Sequence, residues 1–258
     1  MSATPFLTEE RFDLILRRLP RTVRLIQFYF QGEPLLNPAL PVFIAKAHDR
    51  GLYTTLSTNA QALTPALAEA LLTSGLNRII VSMDGLSQET YGAYRVGGSV
   101  DKVRDGLRVL RATKDRLRAH THIELQCLYL RSNKDEWQAF RETYRALGAD
   151  SLTFKTAQFY DYADGNELMP DEAHSRYRQR ADGHYVPKHR VPRWCRRLLT
   201  GCVITTDGDV LPCCYDKEHR YVLGNLLRQD FAAIWHGSRR RTFLRRFRAV
   251  PICANCGG

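Results

Sequence analysis

The sequence predicts an α/β fold built on a parallel sheet, because apolar strand-like runs alternate with helix-like runs through residues 1–156. A second observation supports this prediction: with 258 residues and 44% hydrophobic content, the chain can bury a full core. The alternation fits both a barrel and an open doubly wound sheet, so the residues alone leave these two architectures open.

The alternation predicts five strands with short loops. The strand-like runs are TVRLIQFYF, LYTTLS, RIIVSM, HIELQCLYL and SLTFKT, and the helix-like runs are EERFDLILRRL, ALPVFIAKAHDR, PALAEALLTSG, SVDKVRDGLRVLRATK and DEWQAFRETYRALG. Thr8 is expected to cap the first helix, and Thr64 with Pro65 to begin the third. Asn133 and Glu136 are expected to form a capping box at the start of the last helix.

The sequence changes character after residue 156. Residues 157–192 are polar and aromatic without a clear period, which predicts a connector. Residues 193–258 hold six of the seven cysteines, which predicts a small second module. Three regions are therefore expected, 1–156, 157–192 and 193–258.

Cysteine usage and the N-terminus indicate the compartment. An odd count of seven cysteines makes a poor disulfide framework and a good metal or cluster framework in a reducing cytosol. The start MSATPFLTEERFD has no apolar run typical of a signal peptide. No uncharged apolar segment approaches the roughly 18 residues of a membrane helix. A cytoplasmic protein without membrane spans is predicted.

The net charge of +11 raises the question of nucleic-acid binding. Much of the excess lies in SRRRTFLRRFR, which has six arginines between Arg239 and Arg248. Phe243 and Phe247 lie four residues apart there, as on one face of an amphipathic helix. We therefore favour a helix with a solvated basic face over a nucleic-acid groove.

Polar residues follow successive strands of the predicted sheet, in QGEP, STNA and SMDG. In parallel folds, ligands bind at the carboxyl ends of the strands. A glycine there allows close approach of the backbone, and a carboxylate suits an ammonium group, although turns are rich in such residues anyway. The candidate ligand-binding residues are Gly32, Glu33, Ser57, Asn59, Ser82 and Asp84.

The series GEPLLNP, STNA and VSMDGLSQETYGAYRVGG resembles the core of radical S-adenosylmethionine (SAM) enzymes. The resemblance implies a partial (β/α)6 TIM-type barrel, here lacking its first strand, that binds SAM at its mouth. It implies that Gly32, Glu33 and Pro34 receive the methionine amino group. It further implies that Ser82 and Arg95 contact the cofactor, with the Arg95 guanidinium on the methionine carboxylate.

The tail carries two separated cysteines and a closing CxxC. Twelve residues separate Cys195 from Gly208, four more precede Cys213, and the last pair is Cys253 and Cys256. Four thiolates can hold either zinc or a [4Fe–4S] cluster, and spacing does not decide between them. The order resembles the auxiliary-cluster domains called SPASM and Twitch, which implies that these four cysteines bind one auxiliary [4Fe–4S] cluster, with zinc as the alternative.

The remaining cysteines receive weaker predictions. Cys202 and Cys214 are spare thiols, and Cys214 replaces Cys213 if the hairpin register differs. That hairpin is expected to turn at Asp207-Gly208. Cys127 lies on an apolar strand and is predicted to be a buried small hydrophobe.

One departure from the family pattern concerns the CxxxCxxC motif, whose three thiolates hold the cluster that cleaves SAM. The first cysteine here is Cys127, so the sequence as it stands is expected to be inactive in that step. We favour an enzyme lacking its N-terminal segment, because the SAM loops are intact. A non-catalytic iron–sulfur electron-transfer relative is the alternative, and a zinc-bearing nucleic-acid-binding protein is a weaker one.

The resemblance also implies a reaction class, in which a 5′-deoxyadenosyl radical abstracts hydrogen from an unactivated carbon. The expected partners are an electron donor and a peptide, protein or small-molecule substrate. With CxxxCxxC restored, the radical SAM [4Fe–4S] cluster would be a further cofactor. The residues do not identify the substrate.

Overall fold

The structure is a computed structural model that describes residues 6–256. The chain divides into two compact units, one of Leu25–Val186 and one that joins Met1–Arg24 to Pro187–Gly258. This grouping differs from the division expected at residues 156 and 192. The first helix groups with the cysteine-rich region, and most of the expected connector groups with the sheet.

The first unit is organised around a five-stranded parallel sheet in the order β1-β2-β3-β4-β5. The strands are β1 (Leu25–Gln27), β2 (Tyr53–Thr58), β3 (Arg78–Ser82), β4 (His122–Tyr129) and β5 (Ser151–Thr156). All five predicted strands are confirmed, although β1 is much shorter than its apolar run. The order follows the chain without reversal, as in a (β/α) barrel, whereas doubly wound sheets reverse at a switch point. The sheet thus confirms the predicted α/β class of a partial (β/α)6 TIM-type barrel.

The helices are α1 (Glu9–Arg18), α2 (Leu40–Asp49), α3 (Pro65–Thr73), α4 (Gln88–Gly92), α5 (Val100–Leu117) and α6 (Trp137–Thr143). Two predicted caps are confirmed: the side chain of Thr8 accepts a hydrogen bond from the N–H of Arg11, and that of Thr64 accepts one from Leu67. The capping box expected from Asn133 and Glu136 is wrong, because a 3₁₀ turn occupies residues 131–136 and α6 begins after it.

Side-chain alternation gives the sheet an apolar face and a polar face. The apolar face packs against α2, α3, α5 and α6, with Leu56, Ile79, Val81, Ile123 and Leu125 buried against Ile44, Leu71, Val103, Leu107 and Phe140. On the opposite face of the sheet, the strand register pairs Thr55 with Arg78, Ser82 with Gln126, and Glu124 with Ser151. We call this second surface the polar face. It includes Gln27, Thr55, Ser57, Arg78, Ser82, Glu124, Gln126, Ser151 and Thr153.

The expected connector contains ordered structure. Strands β6 (Tyr177–Gln179) and β7 (Tyr185–Pro187) form a two-stranded sheet. Tyr177 is fully buried in a small second core, and its hydroxyl group donates to the carbonyl of Phe159 at 3.0 Å. Periodicity did not reveal this core because its aromatic residues are spaced irregularly along the chain.

The second unit contains a small antiparallel sheet in the order β10-β9-β8. Its elements are α7 (Arg196–Thr200), β8 (Val203–Ile204), β9 (Asp209–Leu211), β10 (Gly224–Asn225), α8 (Phe231–Trp235), α9 (Ser238–Arg246) and α10 (Pro251–Ala254). The hairpin predicted at Asp207-Gly208 is confirmed, with Gly208 at φ +81°. The two-residue β10 was not predicted, since it is too short to show alternation.

Helix α1 belongs to this second unit through two arginines on one face. The Nη1 atom of Arg11 donates to the carbonyl of Thr206 and to Oδ1 of Asp207, both at 3.1 Å. About two helical turns further along α1, Arg18 donates to the carbonyl of Leu226 at 2.6 Å. These contacts fasten α1 to the β8–β9 turn and to the segment after β10.

The predicted basic amphipathic helix is confirmed as α9, with Phe243 and Phe247 both buried. Arg240 lies 3.6 Å from the centre of the Trp235 ring and donates to the carbonyl of Leu198 at 2.8 Å. At least this arginine therefore serves packing within the unit. Within residues 6–256, no helix is both long and apolar enough to cross a membrane.

Candidate functional site

The loop after β1 presents a carboxylate that neighbouring groups hold in place. Gly32 is exposed at φ +77°, a conformation that favours glycine. The Oε1 atom of Glu33 accepts hydrogen bonds from the Thr58 hydroxyl group at 2.6 Å and the Leu35 N–H at 3.1 Å. Its Oε2 atom accepts from the N–H of Asn59 at 2.8 Å. These bonds tie Glu33 to the carboxyl end of β2, where a ligand of a parallel sheet is expected.

A second charged group lies at the ends of β3 and β4. Oδ2 of Asp84 accepts from Nε of Arg95 at 2.6 Å, and Oδ1 accepts from the N–H of Leu128 at 2.7 Å. Burial alone would lower the pKa of Arg95, but the negative charge of Asp84 and its hydrogen bond raise it above the ordinary value. Asp84 is only 1% exposed, and both of its oxygens accept hydrogen bonds within the chain, so that it holds Arg95 in place.

Arg95 reaches Asp84 through Nε. This contact leaves the two Nη groups of its planar guanidinium in a fixed orientation. The guanidinium also lies 5.3 Å from the centre of the Tyr94 ring. A guanidinium held in this way can offer a pair of parallel N–H groups to a carboxylate.

Asn133 fixes the backbone around this ion pair and was not predicted to do so. It is fully buried, and its Nδ2 donates to the carbonyls of Asp84 and Leu128, both at 2.9 Å. Its Oδ1 accepts from Nε1 of Trp137 at 2.7 Å. An asparagine in the short segment after β4 was the available signal, but it also fitted a helix cap.

Two further side chains that the sequence did not single out fasten the segment between β3 and α5. Glu136 accepts from the N–H of Leu86 at 2.7 Å and from the Thr90 hydroxyl group at 2.9 Å. Gln61 accepts from the N–H of Ser99 and donates to its carbonyl, both at 2.9 Å. The turn that carries Arg95 is therefore tied to neighbouring loops at both of its ends.

The other predicted ligand residues lie around these two groups. Ser57 and Ser82 lie at the carboxyl-terminal ends of β2 and β3 and belong to the polar face. Asn59 uses its side chain locally, with Oδ1 accepting from the N–H of Gln61 at 3.0 Å. Pro34 begins the 3₁₀ turn after Glu33. The structure thus gathers the predicted residues at one edge of the sheet.

The four predicted cluster ligands are distributed over three parts of the second unit. Cys195 precedes α7, Cys213 follows β9, and Cys253 and Cys256 lie in and after α10. Burial, and then the charges of the other three thiols, raise the pKa of Cys253 to about 12. Among residues 6–256, however, no three metal-ligating side chains are assembled as a metal site.

The three remaining cysteines differ in their surroundings. Cys127 is fully buried in β4, as predicted. Burial raises the pKa of Cys202 to about 11. Cys214 is exposed, and its Sγ lies 3.7 Å from Nη1 of Arg197.

Family models match both the region of the sheet and the cysteine-rich region of the chain. Residues 2–123 match the radical SAM superfamily, and residues 195–257 match the SPASM iron–sulfur cluster-binding domain. The chain belongs to the radical SAM superfamily and carries a SPASM domain. The two families imply SAM and iron–sulfur clusters as cofactors.

Individual relatives agree with this assignment. The radical SAM/SPASM chain is 30% identical over 202 residues to a PqqA peptide cyclase of Ruegeria pomeroyi, covering 70% of this chain and 52% of the cyclase. It is 24% identical over 242 residues to an AdoMet-dependent heme synthase of Methanosarcina barkeri, covering 80% and 67%. The structure of Streptococcus suis SuiB bound to S-adenosylmethionine superposes with a TM-score of 0.70 at 14% identity, covering 100% of this chain and 66% of SuiB. The chain spans about half the length of the curated peptide cyclase it matches.

The residues present fit two of the three implied groups. A carboxylate at Glu33 and a fixed guanidinium at Arg95 suit the amino and carboxylate groups of SAM, and no atom lies within 4 Å of a Cβ built on Gly32. By their chemistry, the four thiols of Cys195, Cys213, Cys253 and Cys256 suit one auxiliary cluster, although residues 6–256 do not hold them in cluster geometry. The cluster that cleaves SAM is different, because the seven cysteines of the sequence include no CxxxCxxC to hold it.

Proposed function

We propose that the chain forms the SAM-binding sheet and the auxiliary-cluster domain of a radical SAM/SPASM maturase that modifies a peptide. The observation that carries the proposal is a pair of opposite fixed charges, the Glu33 carboxylate and the Arg95 guanidinium. Each is fixed by groups at the carboxyl end of a different strand. The methionine part of SAM is a zwitterion, with one ammonium and one carboxylate group to match them.

Each residue of the site has a role in this proposal. Glu33 accepts hydrogen bonds from the methionine ammonium group, and the exposed Gly32 lets the backbone of the loop approach SAM closely. Arg95 pairs with the methionine carboxylate through its Nη groups. The predicted role of Asp84 as a direct ligand is replaced by positioning, since Asp84 is 1% exposed and contacts Arg95, whereas Glu33 is only half-buried.

Three residues of the prediction complete the cofactor site as polar neighbours. Ser57 and Ser82 offer hydroxyl groups from the polar face, and Asn59 contributes by orienting Glu33 through its backbone N–H. Pro34 shapes the loop that carries Glu33. When SAM is bound and cleaved, it supplies the 5′-deoxyadenosyl radical of this family.

The SPASM domain holds one auxiliary [4Fe–4S] cluster on Cys195, Cys213, Cys253 and Cys256. The burial of the thiols and their mutual charge support this assignment, because a cation relieves the repulsion between neighbouring thiolates. Zinc is the alternative occupant of four thiolates. Because the cleavage of SAM is a reduction, an electron donor is the further partner in this proposal.

The substrate class rests on the similarity to the PqqA peptide cyclase. That relative is 30% identical, whereas the heme synthase is 24% identical, so we favour a peptide over a small molecule. Of the arginines of α9, at least Arg240 is used for internal packing, which favours the solvated amphipathic helix over a nucleic-acid groove. Nucleic acid is therefore not among the proposed partners.

Binding of SAM to the whole chain tests the proposal. Glu33→Gln keeps the size of the side chain and removes the negative charge, and Arg95→Lys removes the planar pair of donors. We expect each change to weaken SAM binding about tenfold in equilibrium dialysis, as for other charge-assisted hydrogen bonds. Glu69→Gln is the matched control, because Glu69 pairs with Arg116 on the surface.

A second candidate is a non-catalytic iron–sulfur electron-transfer protein, because the four thiols of the tail can hold a cluster without any contribution from SAM. The same experiment separates the two candidates. If the chain assembles its auxiliary cluster but does not bind SAM, the maturase proposal fails and the electron-transfer protein stands.

A further inference from the structure

Four buried polar atoms of the polar face have no hydrogen-bond partner among the described residues. They are Thr55 Oγ1, Arg78 Nε, Glu124 Oε1 and Gln126 Nε2. Their strands β2, β3 and β4 are adjacent, and the register places all four side chains on the same side of the sheet. We call these four residues the polar quartet.

Two members of the quartet, Arg78 and Glu124, form an ion pair with each other, and this pair determines which of their atoms stay unbonded. Nη2 of Arg78 donates to Oε2 of Glu124, so that this carboxylate keeps Oε1 unpaired. Thr55 lies directly opposite Arg78 on the neighbouring strand. Thr55 and Glu124 are each only 3% exposed. Buried polar groups in native proteins are almost always bonded, so a cluster of unpaired ones indicates a missing partner.

The chemistry of the free atoms restricts what that partner can be. The ionised Glu124 accepts only, Arg78 and Gln126 donate only from the free nitrogens, and the Thr55 hydroxyl group can do both. An anion would face the unpaired oxygen of Glu124, and a cation would face the two unpaired N–H groups. A neutral group with one N–H donor and one carbonyl acceptor satisfies both kinds of atom.

We propose that the polar quartet binds an amide group. Glu124 Oε1 accepts the N–H of the amide, and the Thr55 hydroxyl group and the free N–H groups of Arg78 and Gln126 donate to its carbonyl oxygen. The inference rests on the proposed function only in assigning this amide to the peptide substrate. Binding of an amide to the sheet requires neither SAM nor a cluster.

A single substitution separates binding from structure. Thr55→Val keeps the β-branched shape and removes a hydroxyl group that has no partner. We therefore expect the melting temperature of the chain without ligand to stay the same or rise. We expect its affinity for the probe N-acetylglycinamide, measured by isothermal titration calorimetry on the whole chain, to fall about threefold to tenfold.

The neighbouring Thr54 provides the matched control. Thr54 is fully buried on the opposite side of the sheet, and its hydroxyl group bonds the Asn77 side chain at 3.1 Å and the Gly75 carbonyl at 3.2 Å. Thr54→Val should therefore lower the melting temperature while the affinity for N-acetylglycinamide is kept. A loss of affinity in Thr54→Val equal to that in Thr55→Val would overturn the proposal.

A second variant tests the donor side of the quartet. Gln126→Met preserves length and removes the free N–H, so it should weaken binding of the probe by a similar factor. If the wild-type chain shows no saturable binding of N-acetylglycinamide, or if Thr55→Val and Gln126→Met bind as tightly as wild type, ordered water is the partner and the proposal fails. SAM binding, measured on the same samples, reports separately on the proposed function.

Discussion

Asp84 holds Arg95 by a hydrogen bond of 2.6 Å between Oδ2 and Nε, and the same carboxylate takes the N–H of Leu128 at 2.7 Å. The pair thus connects the turn after β3 to the end of β4. A charged carboxylate that is 1% exposed is stable only because both of its oxygens are bonded. This relationship makes Asp84 a positioning residue for the proposed SAM site.

Asp84→Asn should weaken SAM binding through Arg95. The amide keeps the size of the side chain but loses the charge that orients the guanidinium, so we expect a loss of about threefold to tenfold in affinity. A double-mutant cycle with Arg95→Lys checks the mechanism: the two effects should be strongly non-additive. Additive losses would show that Asp84 acts independently of Arg95. Asp101→Asn, on the exposed partner of Arg104, should leave SAM binding unchanged.

The stability of the sheet should depend on Asp150 at acid pH. Burial would raise the pKa of Asp150, but hydrogen bonds from the Ile123 N–H and from Lys114 and Arg111 lower it to about 2, against an ordinary 3.8. A lowered pKa means that the carboxylate stabilises the fold above about pH 4, and that this contribution is lost as the pH falls toward about 2.

Urea unfolding of Asp150→Asn measures this contribution. We expect a loss of about 2 kcal/mol near neutral pH, shrinking to about half at roughly pH 3. Asp115→Asn is a suitable control, because Asp115 is largely exposed and pairs only at the surface with Arg111. A difference between wild type and Asp150→Asn that does not change with pH would contradict the assignment.

Cluster binding should distinguish Cys213 from its neighbour Cys214. After anaerobic reconstitution of the whole chain with iron and sulfide, Cys213→Ser should lose most of the iron and the cluster absorption. Cys214→Ser should keep both, since Cys214 is exposed beside Arg197. The reverse result would place Cys214 in the cluster. A wild-type chain that takes up zinc and no iron would decide for the alternative metal.

Gly208 should be sensitive to substitution for two reasons. Its φ of +81° strains any residue with a Cβ by about 1 kcal/mol, and a Cβ there would lie 2.4 Å from Cγ of Leu227. Gly183 provides the control, because it has φ +87° but no atom within 4 Å of its Cβ position. Gly208→Ala should therefore lower the melting temperature more than Gly183→Ala does, and equal effects would show that the contact with Leu227 does not matter.

The sequence predicted the sheet well because its signals are local. Apolar runs separated by helix patterns gave all five strands, and Thr8 and Thr64 cap their helices as expected. The hairpin at Asp207-Gly208 follows from the same kind of local turn chemistry. Asn133 and Glu136 show the limit: their spacing fits a capping box, but both bond to other loops.

The sequence by itself determined the α/β class, the loops that carry Glu33 and Arg95, and the four thiols of the tail. Periodicity, turn residues and cysteine spacing are properties of short stretches. Only the tertiary structure decided that Asp84 is engaged with Arg95, that α1 groups with the cysteine-rich unit, and that unpaired polar atoms collect on one face of the sheet. These facts depend on which strands become neighbours and in which register. That is settled by packing between residues far apart in the chain.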